Sequence, residues 1–219
     1  MKQSVIDHIQ SCVVCQAYNT SQQKRLGFLH PVPPPVGPNQ LIGIDFCGPF
    51  PTTPNDNKYV LCLTDYFTKS VTAIPLPVCS AQVTAEAIFK DYICRYGAPK
   101  SIISDQDTKR FYGTFVGQIA KSTDYKHNNW DEYLYPIVLA YNTGIHSTTN
   151  ISPFELTYGR PANLPTDHPP TSYTFNQPND YFNQLVRMLQ YYHETVKQNI
   201  IKQHQASKIR YDCRRKNPQ

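Results

Sequence analysis

The 219 residues carry a formal net charge of +5, and 40% hydrophobic and 12% aromatic residues are enough for a sizeable core. The sequence has no apolar run long enough for a membrane span, and the first ten residues lack the apolar stretch of a signal peptide. We therefore expect an intracellular protein that is not secreted and has no membrane partner. Seven scattered cysteines, an odd number, do not indicate a disulfide framework.

The positive charge is concentrated at the C-terminal end. Residues 187–219 contain eight Lys and Arg against two acids, which gives +6, whereas the preceding 186 residues have a net charge of −1. This distribution is typical of an arm that binds a polyanion, although a solvated helix surface has the same pattern and stays an open alternative. The candidate nucleic-acid-binding residues are Lys208, Arg210, Arg214, Arg215 and Lys216.

The N-terminal segment, residues 1–25, is predicted to be helical and contains the CxxC pair Cys12 and Cys15. Two cysteines at this spacing supply half of the ligands of a structural zinc site. His8 is only four residues before Cys12, and the next histidine is His30, so a complete set is not available nearby. Spacing alone favours a structural cysteine pair over a zinc site. A proline-rich linker, 26–38, follows and marks a domain boundary.

Three strands are predicted next: one from Leu41 that is stopped by Gly48, a second from Lys58 to Phe67, and a third from Val71 to Leu76. Their short connections favour an antiparallel meander. The first strand carries Asp45 among apolar residues. A buried carboxylate is costly unless it is paired, and a divalent metal is a common partner, but a strand-end aspartate that caps a turn is the simpler alternative.

A helix is predicted from Ala81 to Tyr96, with Ser80 as its cap and Gly97 at its end. Its predicted apolar face consists of Ala85, Phe89, Tyr92, Ile93 and Tyr96. A short buried strand, 101–104, then ends at Asp105. A crossover helix allows this strand to pair parallel to the first strand, which would bring Asp45 and Asp105 together. Two such carboxylates repel each other unless Mg²⁺ or Mn²⁺ lies between them, as in two-metal phosphoryl transfer.

Four helices are predicted in the remainder of the chain. The first covers 114–121, the second opens at Asp131, and the third follows a Ser152 cap and closes at Gly159. A proline- and asparagine-rich linker begins at residue 161. The last helix, Tyr181 to Tyr211, has a periodic apolar face and leads into the basic end of the chain.

The ordered motifs resemble the integrases of gypsy-type long-terminal-repeat retrotransposons over essentially the whole chain. They are CxxC, IDFCGPFP, TDYFTK, YGAPKSIISDQ, NNWDEYL and AYNTGIHSTTNISPFELTYGR. The resemblance implies an α/β fold of the RNase H-like type, with a mixed sheet of three antiparallel strands and then a parallel strand, flanked by helices. It also implies metal-dependent DNA strand transfer, DNA as a partner, a homo-oligomer as in the family, and location in the nucleus or cytoplasm.

Asp45 and Asp105 match the first and second catalytic aspartates of the family and would bind its Mg²⁺ or Mn²⁺. The third acid of the family, a glutamate, is missing, and Lys109 stands at the matching position. A block of the core has been lost near 107–108, which we expect to remove an edge strand and expose apolar core. Because a lysine cannot coordinate a cation and repels one, we expect no strand-transfer activity.

The resemblance predicts four parts. Residues 1–25 are a remnant of a zinc-binding module that keeps only its Cys12 and Cys15 half, so Zn²⁺ is not expected to be retained, and 26–38 are the linker. Residues 39–160 are the integrase core with its internal deletion, and 161–219 are a linker and basic helix without the C-terminal barrel of the family. Two alternatives stay open: a non-catalytic DNA-binding protein domesticated from a transposable element, and a fragmentary gene model of an active integrase.

Overall fold

The computed structural model describes residues 2–12, 27–104, 116–121, 123, 128–164, 178–213 and 215. The chain divides into two compact units. Unit 1 consists of 1–31 and 204–219, and unit 2 is Val32–Gln203. Within the described residues, none of the helices combines the length and apolar character that a membrane span requires.

The described part of unit 2 is built on a four-stranded sheet in the order β3-β2-β1-β4. Its strands are β1 (Leu41–Cys47), β2 (Tyr59–Asp65), β3 (Val71–Leu76) and β4 (Ser101–Ser104). The first three pair antiparallel, as their short connections require, and β4 pairs parallel to β1. Helices pack against this sheet, and the predicted fold class is therefore confirmed.

Among the described residues, the helices are α1 (Lys2–Ser11), α2 (residues 81–96), α3 (Trp130–Thr143), α4 (Pro153–Tyr158) and α5 (Pro178–Asp212). Residues 116–121 are helical as well. In α2, the hydroxyl of Ser80 accepts a hydrogen bond from Val83 N, and Gly97 ends the helix with φ +83°. Both predicted ends of α2 are therefore observed.

The predicted apolar face of α2 is wrong in its first half. Ala85 is exposed and Phe89 is 61% exposed. The cause is a π-helical stretch, Ile88–Ile93, whose wider turn changes which residues meet the sheet. The side chains that pack there are Val83, Ala87, Ile88, Tyr92, Ile93 and Tyr96.

The two faces of the sheet carry separate cores. One face is covered by α2, and its buried residues include Ile42, Leu61, Leu63 and Ile74. The opposite face is covered by α3 together with Ile119, and its buried residues are Cys47, Val60, Cys62, Ala73, Trp130, Leu134 and Ile137. A third cluster joins the end of the β2 turn to α4 and α5 through Phe67, Leu156, Val196 and Ile200.

The prediction that β4 is a buried strand is wrong. Ser101, Ile102 and Ser104 are exposed and Ile103 is half-buried, with Ile102 at 47% exposure. Among the described residues β4 has a neighbouring strand on one side only, so its short row of side chains is not enclosed. Its apolar composition therefore did not indicate burial.

Unit 1 brings the end of α5 against the segment that begins at residue 27. Asp212 accepts a hydrogen bond from Leu29 N at 2.8 Å and pairs with Lys208 at 2.8 Å. Lys208 also donates to Leu29 O at 2.7 Å and lies over the ring of Phe28. Of the predicted helical segment 1–25, α1 covers residues 2–11, and residues 13–26 lie outside the described part.

Candidate functional site around Asp45

Asp45 lies on β1 opposite Cys62 of β2, on the sheet face that α3 covers. Its side chain is half-buried, and its Oδ1 accepts a hydrogen bond from Phe46 N at 2.9 Å. The strand forms because alternate residues such as Ile42 are fully buried, which fixes the register and therefore the face on which Asp45 stands. The sheet thus places the predicted catalytic carboxylate at a partly accessible position.

Two buried thiols, Cys47 and Cys62, neighbour Asp45 on the same face. Their sulfur atoms are 3.8 Å apart, and each residue is 1% exposed. The hydrogen bond with Cys47, followed by burial and by the charges of Cys47 and Asp45, raises the pKa of the Cys62 thiol well above its usual value. The Cys62 thiol therefore stays protonated at neutral pH. One cysteine in each of two predicted neighbouring strands was the sequence signal for this pair.

The parallel pairing of β4 with β1 is described up to the residues that precede the two predicted catalytic aspartates. Leu41 pairs with Ser101 and Ile44 pairs with Ser104, and these two last residues directly precede Asp45 and Asp105 in the sequence. Asp105 and Lys109 lie outside the described residues. Their position relative to Asp45 therefore stays a prediction.

The described residues do not by themselves fit a metal ion. Among them, no group of three or more His, Cys, Asp or Glu side chains is placed to hold one. Mg²⁺ requires near-octahedral oxygen ligands, and Asp45 supplies a single carboxylate. Cys12, which is half-buried, is the described half of the predicted zinc pair, and Cys15 lies outside the described part.

The predicted nucleic-acid contacts have unequal surroundings. The ammonium of Lys208 forms a salt bridge with Asp212 within unit 1. Arg210 is exposed and donates to Ala206 O, and Arg215 lies 4.3 Å over the ring of Tyr211. Arg214 and Lys216 are not among the described residues. Arg210 is thus the candidate whose guanidinium the structure shows on the surface.

Asp131 is a structural residue of this region that was not predicted from the sequence. Its Oδ2 accepts hydrogen bonds from Thr53 Oγ1, Asn55 Nδ2 and Asn57 Nδ2 at 2.9–3.0 Å. Beside it, Trp130 Nε1 donates to Pro51 O at 2.8 Å. These contacts attach the turn that follows β1 to the start of α3. The Thr- and Asn-rich turn was the available signal, because such side chains need an acceptor when they are buried.

The amino-acid sequence is similar to those of retrotransposon polyproteins. No protein-family model matches the chain. The chain is 29% identical over 155 residues to the retrovirus-related Pol polyprotein from transposon 412 of Drosophila melanogaster, a match that covers 56% of the chain and 12% of that protein. It is 24% identical over 194 residues to the transposon Tf2-3 polyprotein of Schizosaccharomyces pombe, covering 72% of the chain and 14% of that protein.

Comparison with solved structures finds partial similarity to two viral proteins. One is a simian T-cell lymphotropic virus intasome in complex with the PP2A regulatory subunit B56 gamma, with a TM-score of 0.49 and 14% identity over 80% of this chain and 73% of that chain. The other is the HTLV-2 integrase catalytic core domain with magnesium in a trimeric form, with a TM-score of 0.42 and 12% identity over 55% of this chain and 97% of that chain. The predicted similarity to proteins of retrotransposons is confirmed, because the relatives found by sequence are retrotransposon polyproteins.

Proposed function

We propose that this chain is an integrase-type protein of a retrotransposon, with the family role of DNA integration, and that it no longer performs metal-dependent strand transfer. The observation that carries the proposal is the parallel pairing of β4 with β1, which runs up to the residues before Asp45 and Asp105. The similarity to retrotransposon polyproteins supports the same role. The loss of activity rests on Lys109, which replaces the third acid.

Three of the four glutamates of the chain have hydrogen-bond partners on their own helices, and the fourth is exposed. Glu155 closes the capping box of α4 with Ser152, and Glu86 and Glu194 accept hydrogen bonds from glutamine side chains on their own helices. Glu132 is exposed in the first turn of α3. None of them belongs to a metal-holding group within the described residues. This distribution supports the proposal that no other acid replaces the missing one.

The proposal is tested with a strand-transfer assay on short duplexes that carry element ends, in the presence of Mg²⁺ or Mn²⁺. We expect no product from the natural chain. Asp45→Asn serves as the site variant, and Asp56→Asn, at an exposed aspartate in the turn after β1, is the matched control. Product that Asp45→Asn abolishes and Asp56→Asn preserves would show an active enzyme and overturn the proposal.

Metal binding gives a second test of the same site. Asp45 and Asp105 would be the residues that hold Mg²⁺ or Mn²⁺, and with two carboxylates the affinity should be low. We expect millimolar Mg²⁺ to change the melting temperature only slightly. At the separate zinc half-site of Cys12 and Cys15, we expect purified protein to carry well under one zinc per chain. A clear Mg²⁺ shift that is absent in Asp45→Asn would contradict the first expectation. Stoichiometric zinc that resists chelation would contradict the second.

A non-catalytic DNA-binding role is the second candidate, and the exposed cations of α5 favour it. Lys202 and Arg210 are both exposed on this helix. Deletion of residues 187–219 would be a poor test, because it would remove the fully buried Val196 and Ile200 from the core of unit 2. The double variant Lys202→Gln, Arg210→Gln removes charge without removing core.

For this variant we expect weaker binding to duplex DNA and a shallower salt dependence. Each phosphate contact that is lost should lower the slope of log affinity against log salt by about 0.9. Fluorescence anisotropy at several salt concentrations measures both quantities. Lys90→Gln, at an exposed lysine of α2, is the control. Unchanged affinity and slope in the double variant would exclude this part of α5 as the DNA-binding surface.

A fragmentary gene model of an active integrase is the remaining alternative, and genomic DNA decides it. Genomic DNA should be sequenced between the codons of Asp107 and Thr108. An open, in-frame stretch that ends in a glutamate codon beside Thr108 would show a longer and active protein. A direct junction there supports the inactive form.

We also propose that the chain forms a homo-oligomer and is located in the nucleus or cytoplasm. Light scattering tests the oligomeric state, and microscopy of the tagged chain tests the location.

A further inference from the structure

A cavity of about 190 Å³ lies on the α2 side of the sheet, away from Asp45. Asp65, at the end of β2, faces it and pairs with Ile42, three residues before Asp45 on β1. Paired residues on neighbouring strands share a face, so Asp65 lies on the same face as Ile42. Because side chains alternate along a strand, Asp45, three residues after Ile42, lies on the opposite face. The lining includes Asn39, Thr68, Thr72, Tyr92 and Tyr96. This cavity is therefore separate from the predicted catalytic site.

The cavity contains a buried carboxyl group, that of Asp65, and its lining has no positively charged residue. Asp65 is 6% exposed and accepts hydrogen bonds from Phe67 N at 3.0 Å, Thr68 Oγ1 at 2.9 Å and Asn39 N at 3.3 Å. Burial outweighs these hydrogen bonds and raises the pKa of the Asp65 carboxyl. Lys69 is close enough to interact electrostatically with Asp65, but its ammonium donates to Tyr66 O and it does not line the cavity.

Two aromatic rings form part of the wall. The rings of Tyr92 and Tyr96 have centroids 5.0 Å apart and are tilted by 49°. The Tyr92 hydroxyl donates to Asn39 Oδ1 at 3.1 Å, which fixes the ring in place. Hydroxyl groups of Ser70, Thr72 and Thr157 complete the lining and can accept hydrogen bonds. A carboxylate, two aromatic rings and several hydroxyl acceptors are together the chemistry that recognises a cation.

We propose that this cavity binds an alkylammonium group of the size of a lysine side chain. The ammonium would meet the Asp65 carboxylate, and the methylene groups would lie along Tyr92 and Tyr96. The group has two natural sources, the lysine side chain of a partner peptide and a small free polyamine. The inference is independent of the proposed integrase role, because it concerns the other face of the sheet.

The probe for this site is n-butylammonium, titrated into ¹⁵N-labelled full-length protein and followed by NMR. We expect saturable shifts of the backbone resonances of Asn39, Thr68, Ser70 and Thr72, with little change at Asp45. n-Butanol and butyrate, which match the length but are neutral or negative, should not produce them. Equal shifts with butanol or butyrate, or shifts confined to other residues, would overturn the proposal.

Two variants test the two halves of the recognition. Asp65→Asn should weaken butylammonium binding by about tenfold or more, and Tyr96→Leu by roughly threefold, while Asp56→Asn should have no effect. Tyr96→Leu leaves the hydrogen bonds of Asp65 in place, so it keeps the test decisive if Asp65→Asn does not fold. Unchanged binding in folded Tyr96→Leu would overturn the arrangement proposed here.

The source is distinguished by comparing blocked lysine, with its backbone amides capped, with putrescine. Tighter binding of blocked lysine than of butylammonium indicates a peptide partner, and tighter binding of putrescine indicates a free polyamine. If both bind more weakly than butylammonium, the cavity is closed to both sources and the proposal fails.

Discussion

Two buried aspartates in unit 2 have pKa shifts in opposite directions, and the difference lies in their hydrogen bonds. Burial raises the pKa of the Asp65 carboxyl, and its hydrogen bonds do not offset this. Burial also acts on Asp131, but the hydrogen bonds from Asn57, Asn55 and Thr53 outweigh it and lower the pKa of that carboxyl. Folding therefore favours ionised Asp131 and disfavours ionised Asp65.

Asp131→Asn is expected to lower the free energy of unfolding by about 1–3 kcal/mol at neutral pH, because the donors of Thr53, Asn55 and Asn57 lose their charged acceptor. The native pKa of Asp131 lies below its usual value of 3.8. Its contribution is thus complete above the unfolded pKa and is lost as the pH falls through the native pKa. The difference between variant and natural protein should shrink from pH 7 to pH 3.

Urea unfolding followed by the fluorescence of Trp130, the single and buried tryptophan, measures this difference. Asp56→Asn, which removes an exposed carboxylate from the same turn, is the control. A loss in Asp131→Asn that is equal at pH 7 and pH 3 would contradict the role of the charge.

The buried thiols of Cys47 and Cys62 should resist alkylation in the native protein. Both are almost fully buried, and the pKa of the Cys62 thiol is raised, so the reactive thiolate is scarce. Exposed Cys94 should react with iodoacetamide at pH 8, whereas Cys47 and Cys62 should react only after unfolding in guanidinium. Mass spectrometry of tryptic peptides distinguishes these sites. Rapid native labelling of Cys62 would contradict the buried pair.

At the scale of elements, the helix ends were set by local residues. Ser152 and Glu155 form a capping box at the start of α4, and Gly159 ends it in the left-handed region with φ +68°. Such signals act within one turn of the helix, so they do not depend on distant packing. The packing around the end of α4 adds a further requirement, because α5 passes close to Gly159.

Gly159→Ala is expected to destabilise unit 2 by about 2–4 kcal/mol. The added Cβ would lie 2.4 Å from Leu185 Cδ1 and 3.1 Å from Leu189 Cγ, at a φ that disfavours any residue with a Cβ. Thermal or urea unfolding measures the loss. Gly37→Ala, where nothing lies within 4 Å of the added Cβ, should change stability little. Similar stability of the two variants would contradict this packing.

At the scale of the whole molecule, α5 contributes residues to both compact units. Its middle carries Val196 and Ile200 into the core of unit 2 with Phe67 and Leu156, and its end belongs to unit 1. The helix is therefore a structural part of the fold as well as a basic segment. The apolar periodicity and the charge of its sequence reflect these two roles.

Ile200→Ala should lower the free energy of unfolding by about 2–5 kcal/mol, because it removes fully buried methylene and methyl groups from the third core cluster. Ile209→Ala, at a largely exposed position of the same helix, should cost much less and serves as the control. Urea unfolding of both variants decides the point. Comparable losses would show that α5 does not contribute to the core through Ile200.

The sequence alone determined the strands, the helix ends and the mixed sheet. The third strand was predicted with its observed bounds, the second extended only slightly beyond them, and the parallel β4 followed from the crossover helix. These features depend on alternation, caps and glycines, which act between near neighbours in the chain. The same alternation identified Asp45 as a carboxylate in an apolar strand, although its catalytic role is still a prediction.

Which side chains are buried, and which polar groups meet, depends on contacts between distant parts of the chain. The exposure of β4, the π-helical shift of the α2 face and the contact between Asp131 and the turn at Asn55 all depend on elements far apart in the sequence. The cavity at Asp65 is formed in the same way, from β2, α2 and α4. A residue pattern predicts which side chains of a segment can be buried. The actual burial of each side chain, and the pKa of each titratable group, depend on the neighbours that folding brings to it.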